Sequence, residues 1–379
     1  MRFLDAGESH GKALVAIIEG LPSGLEINLD DINYELYRRQ QGYGRGGRMK
    51  IETDKAEILS GVRDGKTLAS PLTLMIKNAD NGNWGKIMDA QNADTHLRTV
   101  TQVRPGHADY SGCVKYGFDD ARNILERASA RETAIRVAVG AVGKSYLKTL
   151  GIDIASRVIS IGTAVDGCES YTFDEIKSNA DKSEVRCLNA VAEKEMIAVI
   201  DQAKENKDTL GGEVEIVVKG MPVGIGSHTY YDRKLDYALM GAVGSVQSVK
   251  SVAIGQDCSA LFGSQAHDKM YLQNGKIVRK TNRAGGIEGG ISNGEEIVIR
   301  AKLKPIPTVM AGLDTVDIVS KEQVKSSPER SDVCAVPAGA VVIENVVAFT
   351  LMQAINDTLG GDIMCETVAR MEKLREKRI

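Results

Sequence analysis

From Asp120 to Gly151 the chain reads DARNILERASARETAIRVAVGAVGKSYLKTLG. About 28 residues with apolar positions at helical spacing, closed by a glycine, predict one long helix, a rod as long as a small domain is wide. A second long helix is expected after RSDVCAVPAGAVVIENVVAFTLMQAIND. A third, EINLDDINYELYRRQQ, has Asn28 as its cap and Arg38 and Arg39 at its end. Strand patterns occur in ASPLTLMIKN, in EVEIVVKGMPVGIG and in EEIVIRAKLKPIPT, the last stopped by Pro305 and Pro307. The polar stretch near 166–208, with amphipathic AVAEKEMIAVIDQAKEN, looks peripheral. No low-complexity linker divides the 379 residues and no short repeat occurs. One large mixed α/β domain, of the α+β type, is expected across 1–379.

With 42% hydrophobic and 26% charged residues the chain has the composition of an ordinary soluble globular protein. A formal net charge of -3 gives no bulk attraction to nucleic acid or acidic membranes, so anion binding has to come from local patches. Apolar windows such as VCAVPAGAVVI fall short of the roughly 20 residues that span a bilayer. Arg2, Asp5, Glu8, His10 and Lys12 leave no room for a signal-peptide core, and a cytoplasmic protein is expected. Six scattered cysteines, without a C-x-x-C pair or zinc spacing, point to reduced, buried thiols and to no metal. The 39 glycines stand against one tryptophan and five phenylalanines. Their clusters suggest a ligand bed made of loops, although surface turns explain some equally well.

Four places carry more chemistry than a fold needs. GESHG puts an acid, a hydroxyl and the imidazole of His10 between two glycines, and RPGHAD sets His107 after a proline-glycine turn. A lone histidine is more often structural than catalytic, but it is the side chain that titrates near neutrality, and glycine-flanked, charge-rich loops suit both to proton transfer. The loop RRQQGYGRGGRMK, Arg38 to Lys50, holds four arginines, one lysine, four glycines and no acid. Arginine's planar fork matches phosphate and carboxylate, but a solvated basic loop would look the same. ERASARETAIR puts Ser129 and Arg131 within the expected long helix, where Glu132 and Arg136 four apart could simply stitch an exposed face. In RSDVCAVPAGAVVIEN, Ser331 or Asp332 could be no more than a helix cap.

Taken together, GESHGKALVAIIEGLPSG, ERASARETAIRVAVGAV and RSDVCAVPAGAVVIENV resemble, in order, the three signature stretches of chorismate synthases. QGYGRGGRMKIETD, RPGHAD, LGGEVEIVVKGMPVGIG, AGGIEGGISNG and KPIPT extend the resemblance over nearly the whole chain. The resemblance implies trans-1,4 elimination of phosphate from 5-enolpyruvylshikimate 3-phosphate to give chorismate, on the way to the aromatic amino acids. It implies reduced FMN without net redox change, a homotetramer, and a β-α-β sandwich with long helices between two antiparallel sheets. By motif, His10 and His107 would be the catalytic acids and Asp332 would sit near flavin N5. Ser9, Arg39, Arg45, Arg48, Arg104 and Arg131 would hold the substrate's phosphate and carboxylates. Arg39, Arg45, Ser129, Ala130, Arg131, Gln247, Ser248, Gly289, Lys304, Pro305, Ile306, Pro307, Thr308 and Arg330 resemble the flavin-binding positions. No G-x-G-x-x-G fingerprint speaks for NADPH-dependent flavin reduction by the chain itself, and its insertion-poor length favours an external reductant. A serine hydrolase using Ser9 or Ser129 leaves the arginine loop unexplained and lacks a G-x-S-x-G elbow. An RNA-binding reading of GRGGRMK conflicts with the acidic balance and scarce aromatics.

Overall fold

Strict alternation builds the first sheet. Strand β2 (Ala13–Glu19) buries Leu14, Ala16 and Ile18 and exposes Ile17 and Glu19. Its buried residues lie opposite Ile76, Leu74 and Leu72 of β4 (Leu72–Lys77), so one face of the pair is wholly apolar. β1 (Arg2–Ala6) and β3 (Ala56–Ser60) complete an antiparallel sheet of order β1-β2-β4-β3. A second antiparallel sheet has the order β8-β9-β7-β5-β6, from β5 (Asp153–Ile161), β6 (Ala164–Val165), β7 (Gly212–Lys219), β8 (Val249–Ile254) and β9 (Ile297–Leu303). The computed structural model describes residues 1–47, 51–168, 171–326, 329 and 331–377. Arg48 and Arg330, both candidate site residues, therefore lie outside the described residues.

Helices α1 (Leu29–Gln40), α3 (Thr133–Thr149) and α4 (Val336–Leu359) carry most of the remaining core, and α2 (Arg122–Ala128) contributes to a smaller one. α3 packs on β2 and β4, α4 on β5 and β7, and the two helices on each other. Their approach depends on glycine: a Cβ at Gly140 would stand 2.3 Å from the carbonyl oxygen of Asn345, and one at Gly143 2.9 Å from the backbone of Ala348. One apolar cluster runs through both sheets, α1, α3 and α4, while Ile124 and Leu125 of α2 sit in a separate small cluster with Val100, Val103 and Cys113. By length and composition α4 could cross a membrane, yet 89% of its most apolar window is buried inside the protein. It also carries Glu344 and Asn345 in buried positions.

The long helix expected over 120–151 is broken. α2 ends at Ala128, Ser129 is extended (φ -61, ψ 141), a 3-10 turn covers Ala130–Glu132, and α3 runs on from there. Ser129 Oγ accepts from the amide of Arg131 at 3.2 Å, a local side-chain bond that competes with the helix ladder and that periodicity cannot reveal. The Asn28 cap and the stop at Gly151, which is left-handed at φ 70, are as expected. Asp332 does not cap α4, whose first turn begins with Val336 and Pro337. Residues Ala190–Glu205 form a helix that sends Met196 and Ile200 into the main core. Cys113, Cys187 and Cys334 are buried as expected, whereas Cys168 and Cys258 are half-buried. Cys365 is exposed because it falls on the solvent side of the helix Met364–Glu376.

Candidate active site

The loop after β1 is pinned to α2. Ser9 donates its amide to the Glu126 carbonyl at 2.9 Å, and Ser9 Oγ donates to Ser129 Oγ at 3.2 Å across the helix break. The Glu126 carboxylate takes the His10 amide at 2.8 Å and His10 Nδ1 at 2.9 and 3.0 Å. The His10 ring stacks on Trp84 with centroids 3.8 Å apart and 19° between planes. Burial pushes the Glu126 carboxyl up, but the hydrogen bonds and charge of His10, with Arg122, hold it below the usual range.

RPGHAD builds a second unit of the same kind. Asp109 is fully buried. Its carboxylate accepts from Arg104 through the backbone at 3.1 Å, Nε at 2.8 Å and Nη2 at 3.1 Å. It also accepts from His107 Nδ1. His107 Nδ1 and Arg104 Nη2 lie 3.0 Å apart because both donate to the same Oδ1. Burial raises the Asp109 carboxyl, and the bonds from His107 and Arg104 more than reverse this, so it is held well below the ordinary carboxylate range.

The arginine loop, free of acids in sequence, is met by carboxylates in space. Arg45 Nη1 pairs with Asp332 at 2.7 Å, while the other Asp332 oxygen takes the Gly46 amide at 2.6 Å. Arg39 reaches Thr133 Oγ1, the Ala130 carbonyl and Asp54 at 3.0, 3.1 and 3.4 Å. Arg131 reaches Asp54 at 2.6 Å, Asn78 at 2.9 Å and Glu52 at 3.5 Å. Burial pulls the Arg39 guanidinium down to about 10; Asp54 opposes this, while Arg131 and Arg45 add to it. Arg38, next in sequence, turns away to Glu344, Glu35 and Asp181. A cavity of about 280 Å3 opens beside that second network, lined in part by Tyr34, Lys144 and Arg186, and neither His10 nor His107 lines it.

The flavin-type positions fall into linked groups. Gln247 Nε2 donates to Glu132 at 2.9 Å, next to the 129–131 turn. Ser248, left-handed at φ 70, accepts from the Lys304 amide at 2.9 Å. Lys304 Nζ donates to the Gly106 carbonyl, and Thr308 Oγ1 accepts from Arg104 at 3.0 Å, which ties 304–308 to the His107 loop. Pro307 lies against Gly106, and the Ile306 carbonyl accepts from Thr209 at 2.8 Å. Pro305 lies beside Gly211. Gly289 stands apart, in the turn between Ile287–Glu288 and Ile291–Asn293 of a small sheet. Sequence reasoning missed Glu126, Asp109, Trp84, Asn78, Glu52 and Asp54. Asp109, two residues after His107, and Trp84, the sole tryptophan, carried a local signal, and Glu52, Asp54 and Glu126 lay within the stretches QGYGRGGRMKIETD and ERASARETAIRVAVGAV.

Two imidazoles, each backed by a buried carboxylate, beside clustered guanidiniums make an acid-base enzyme suited to a small anionic substrate. The chorismate synthase family model matches residues 1–355. The chorismate synthase of Caldicellulosiruptor bescii is 51% identical over 98% of this chain and 99% of its own length, and that of Geobacter sulfurreducens 52% identical over 97% and 96%. A crystal structure of a chorismate synthase, 40% identical, covers 98% of this chain and 96% of its own with a TM-score of 0.78. The chain belongs to the chorismate synthase family.

Proposed function

We propose that the protein converts 5-enolpyruvylshikimate 3-phosphate into chorismate by trans-1,4 elimination of phosphate. In that reaction the bond from carbon to the phosphate oxygen breaks, a carbon-bound hydrogen leaves from the opposite face, and a new double bond forms. The strongest support is the repeated pairing of an imidazole with a buried carboxylate at His10 and His107. Each carboxylate stabilises a charged ring, which can then neutralise or protonate a departing phosphate. In this reading His10 presents Nε2 to the phosphate and His107 moves the second proton. Arg39, Arg45, Arg48, Arg104 and Arg131 bind the phosphate and the two carboxylates of the substrate. Among the described residues, carboxylate partners orient the guanidiniums of Arg39, Arg45, Arg104 and Arg131.

The residues present fit reduced FMN. Gln247 Oε1 is buried without a hydrogen-bond partner, an acceptor suited to a flavin N–H or ribityl hydroxyl. Gln247, Ser248 and Lys304 to Thr308 would hold it with Ser129 to Arg131, Gly289 and Arg330, and Asp332 would govern protonation at N5. Reduced FMN supplies the electron donation and hydrogen acceptance that no side chain offers. The proposal extends to an external reductant, a cytoplasmic location and a homotetramer in which 1–379 acts as one unit. It also takes the fold as a β-α-β sandwich, supported by α3 packing on the first sheet and α4 on the second. The test is anaerobic chorismate formation with chemically reduced FMN. Turnover without stoichiometric loss of reductant is expected; full activity with oxidised FMN, or one reductant spent per product, would refute it.

A further inference from the structure

Resting on the role given to His10 above, we propose that Glu126 is its positioning residue, fixing the proton on Nδ1 and, with Trp84, the plane of the ring, so that Nε2 alone faces the substrate. Glu126 is 2% exposed and its two oxygens receive both the amide and the ring nitrogen of His10. An ionised carboxylate can only accept, so Nδ1 carries the hydrogen in the neutral ring as well as in the charged one. Its ionised form is maintained despite burial by those bonds and by Arg122, whose Nη1 lies 3.3 Å away. Nε2 stands 3.9 Å from Asp80, beyond hydrogen-bond reach. One restraint acts in the ring plane and the other, the indole stack, on its face, and together they remove rotation about the last side-chain bond.

Other charges bear on this ring. Arg122 and Arg98 lie over the Trp84 ring at 5.2 and 4.6 Å, Trp84 Nε1 donates to Asp80 at 3.2 Å, and Glu329 pairs with Arg122 at 2.8 Å. Of these groups only Glu126 bonds the imidazole, so its removal has the larger effect on when His10 becomes charged. The chain's sole tryptophan is in van der Waals contact with that imidazole, and an imidazolium quenches indole emission. Intrinsic fluorescence therefore reports the charge on His10 in the absence of any cofactor.

The experiment follows tryptophan emission of the flavin-free protein against pH, in the parent and in Glu126→Gln, Glu126→Asp and His10→Asn, with circular dichroism as the fold control. The expected result is one transition in the parent, none in His10→Asn, a lower midpoint in Glu126→Gln, and partial recovery in Glu126→Asp. A parent midpoint retained in Glu126→Gln would overturn the proposal. Should Glu126→Gln fail to fold, long-range nitrogen-proton spectra of histidine-labelled parent protein decide directly: neutral His10 protonated on Nδ1 supports the assignment, and protonation on Nε2 overturns it. Chorismate assays separate this from the wider reading, because a catalytic His10 makes His10→Asn slow, whereas the optical transition depends only on Glu126 and the ring.

Discussion

His10 and His107 share one device, a buried carboxylate on Nδ1, yet the two sites are built in opposite ways. His107 finds Asp109 two residues along the same loop, and Arg104, five residues before Asp109, gives that carboxylate three further hydrogen bonds. His10 finds its carboxylate 116 residues away on α2, where the Arg122 guanidinium lies 3.3 Å from it, and the face of the ring rests on Trp84. The charge of Asp109 is therefore compensated whether or not His107 is protonated. Glu126 relies on His10 together with the more distant Arg122. The first site keeps its carboxylate ready through local sequence; the second couples its carboxylate to the packing of two separate segments.

The largest test removes both devices. His10→Ala and His107→Ala are each expected to lower turnover about 10- to 10⁴-fold while circular dichroism stays that of the parent. Parental rates for either variant across pH 6 to 9 would make that histidine structural and end the parallel between them.

Stability separates the sites next. Asp109→Asn leaves the Arg104 guanidinium, 9% exposed, without its counter-charge, a change that costs about 3–5 kcal/mol for a broken buried pair. Denaturant unfolding should show this loss, and a smaller one for Glu126→Gln, whose cation is more weakly held. Equal losses would mean that Arg104 does not carry Asp109.

Away from both sites, Gly140→Ala tests the helix contact. Alanine favours a helix over glycine by about 1 kcal/mol. Its Cβ would nevertheless stand 2.3 Å from a backbone oxygen of α4, and overpacking of this kind costs about 1–3 kcal/mol. The backbone cannot swing aside as a side chain can, so thermal unfolding should show net destabilisation.

Acid gives the smallest difference. Both carboxyls are held below their ordinary values, 4.5 for Glu126 and 3.8 for Asp109. Each therefore stabilises the folded state fully above that ordinary value, and the contribution fades as pH falls through the folded one. Acid unfolding followed by circular dichroism should be shallower in both variants, with the Asp109→Asn effect at lower pH. The reverse order would contradict the stronger hold of Arg104.

Much of the fold was legible because period and punctuation are local. The alternation of Leu72, Leu74 and Ile76 in ASPLTLMIKN gives an apolar face whatever lies opposite, and Asn28 caps α1 by accepting from the Asp30 amide. The break at Ser129 was not legible, since the apolar spacing continues across it and a single extended residue leaves no periodic trace. The candidate residues around the histidines divide in the same way. RPGHAD shows its histidine, arginine and aspartate together, whereas Glu126 in ERASARE is one acid among many until α2 meets the loop after β1.

By itself the sequence determined which residues could do chemistry here: two histidines in glycine-flanked loops, and an arginine loop with no acid of its own. Tertiary structure alone decided what each of them faces. Arg38 and Arg39, adjacent in α1, turn to separate carboxylate networks because successive helix positions point about 100° apart. The acid-free loop gains Asp332 only when the segment before α4 folds against Gly46, and His10 gains Glu126 only when α2 packs beside β1. Charge pairing acts across a few ångströms of space, whatever the separation along the chain, so the partner of a buried ion is settled by the fold.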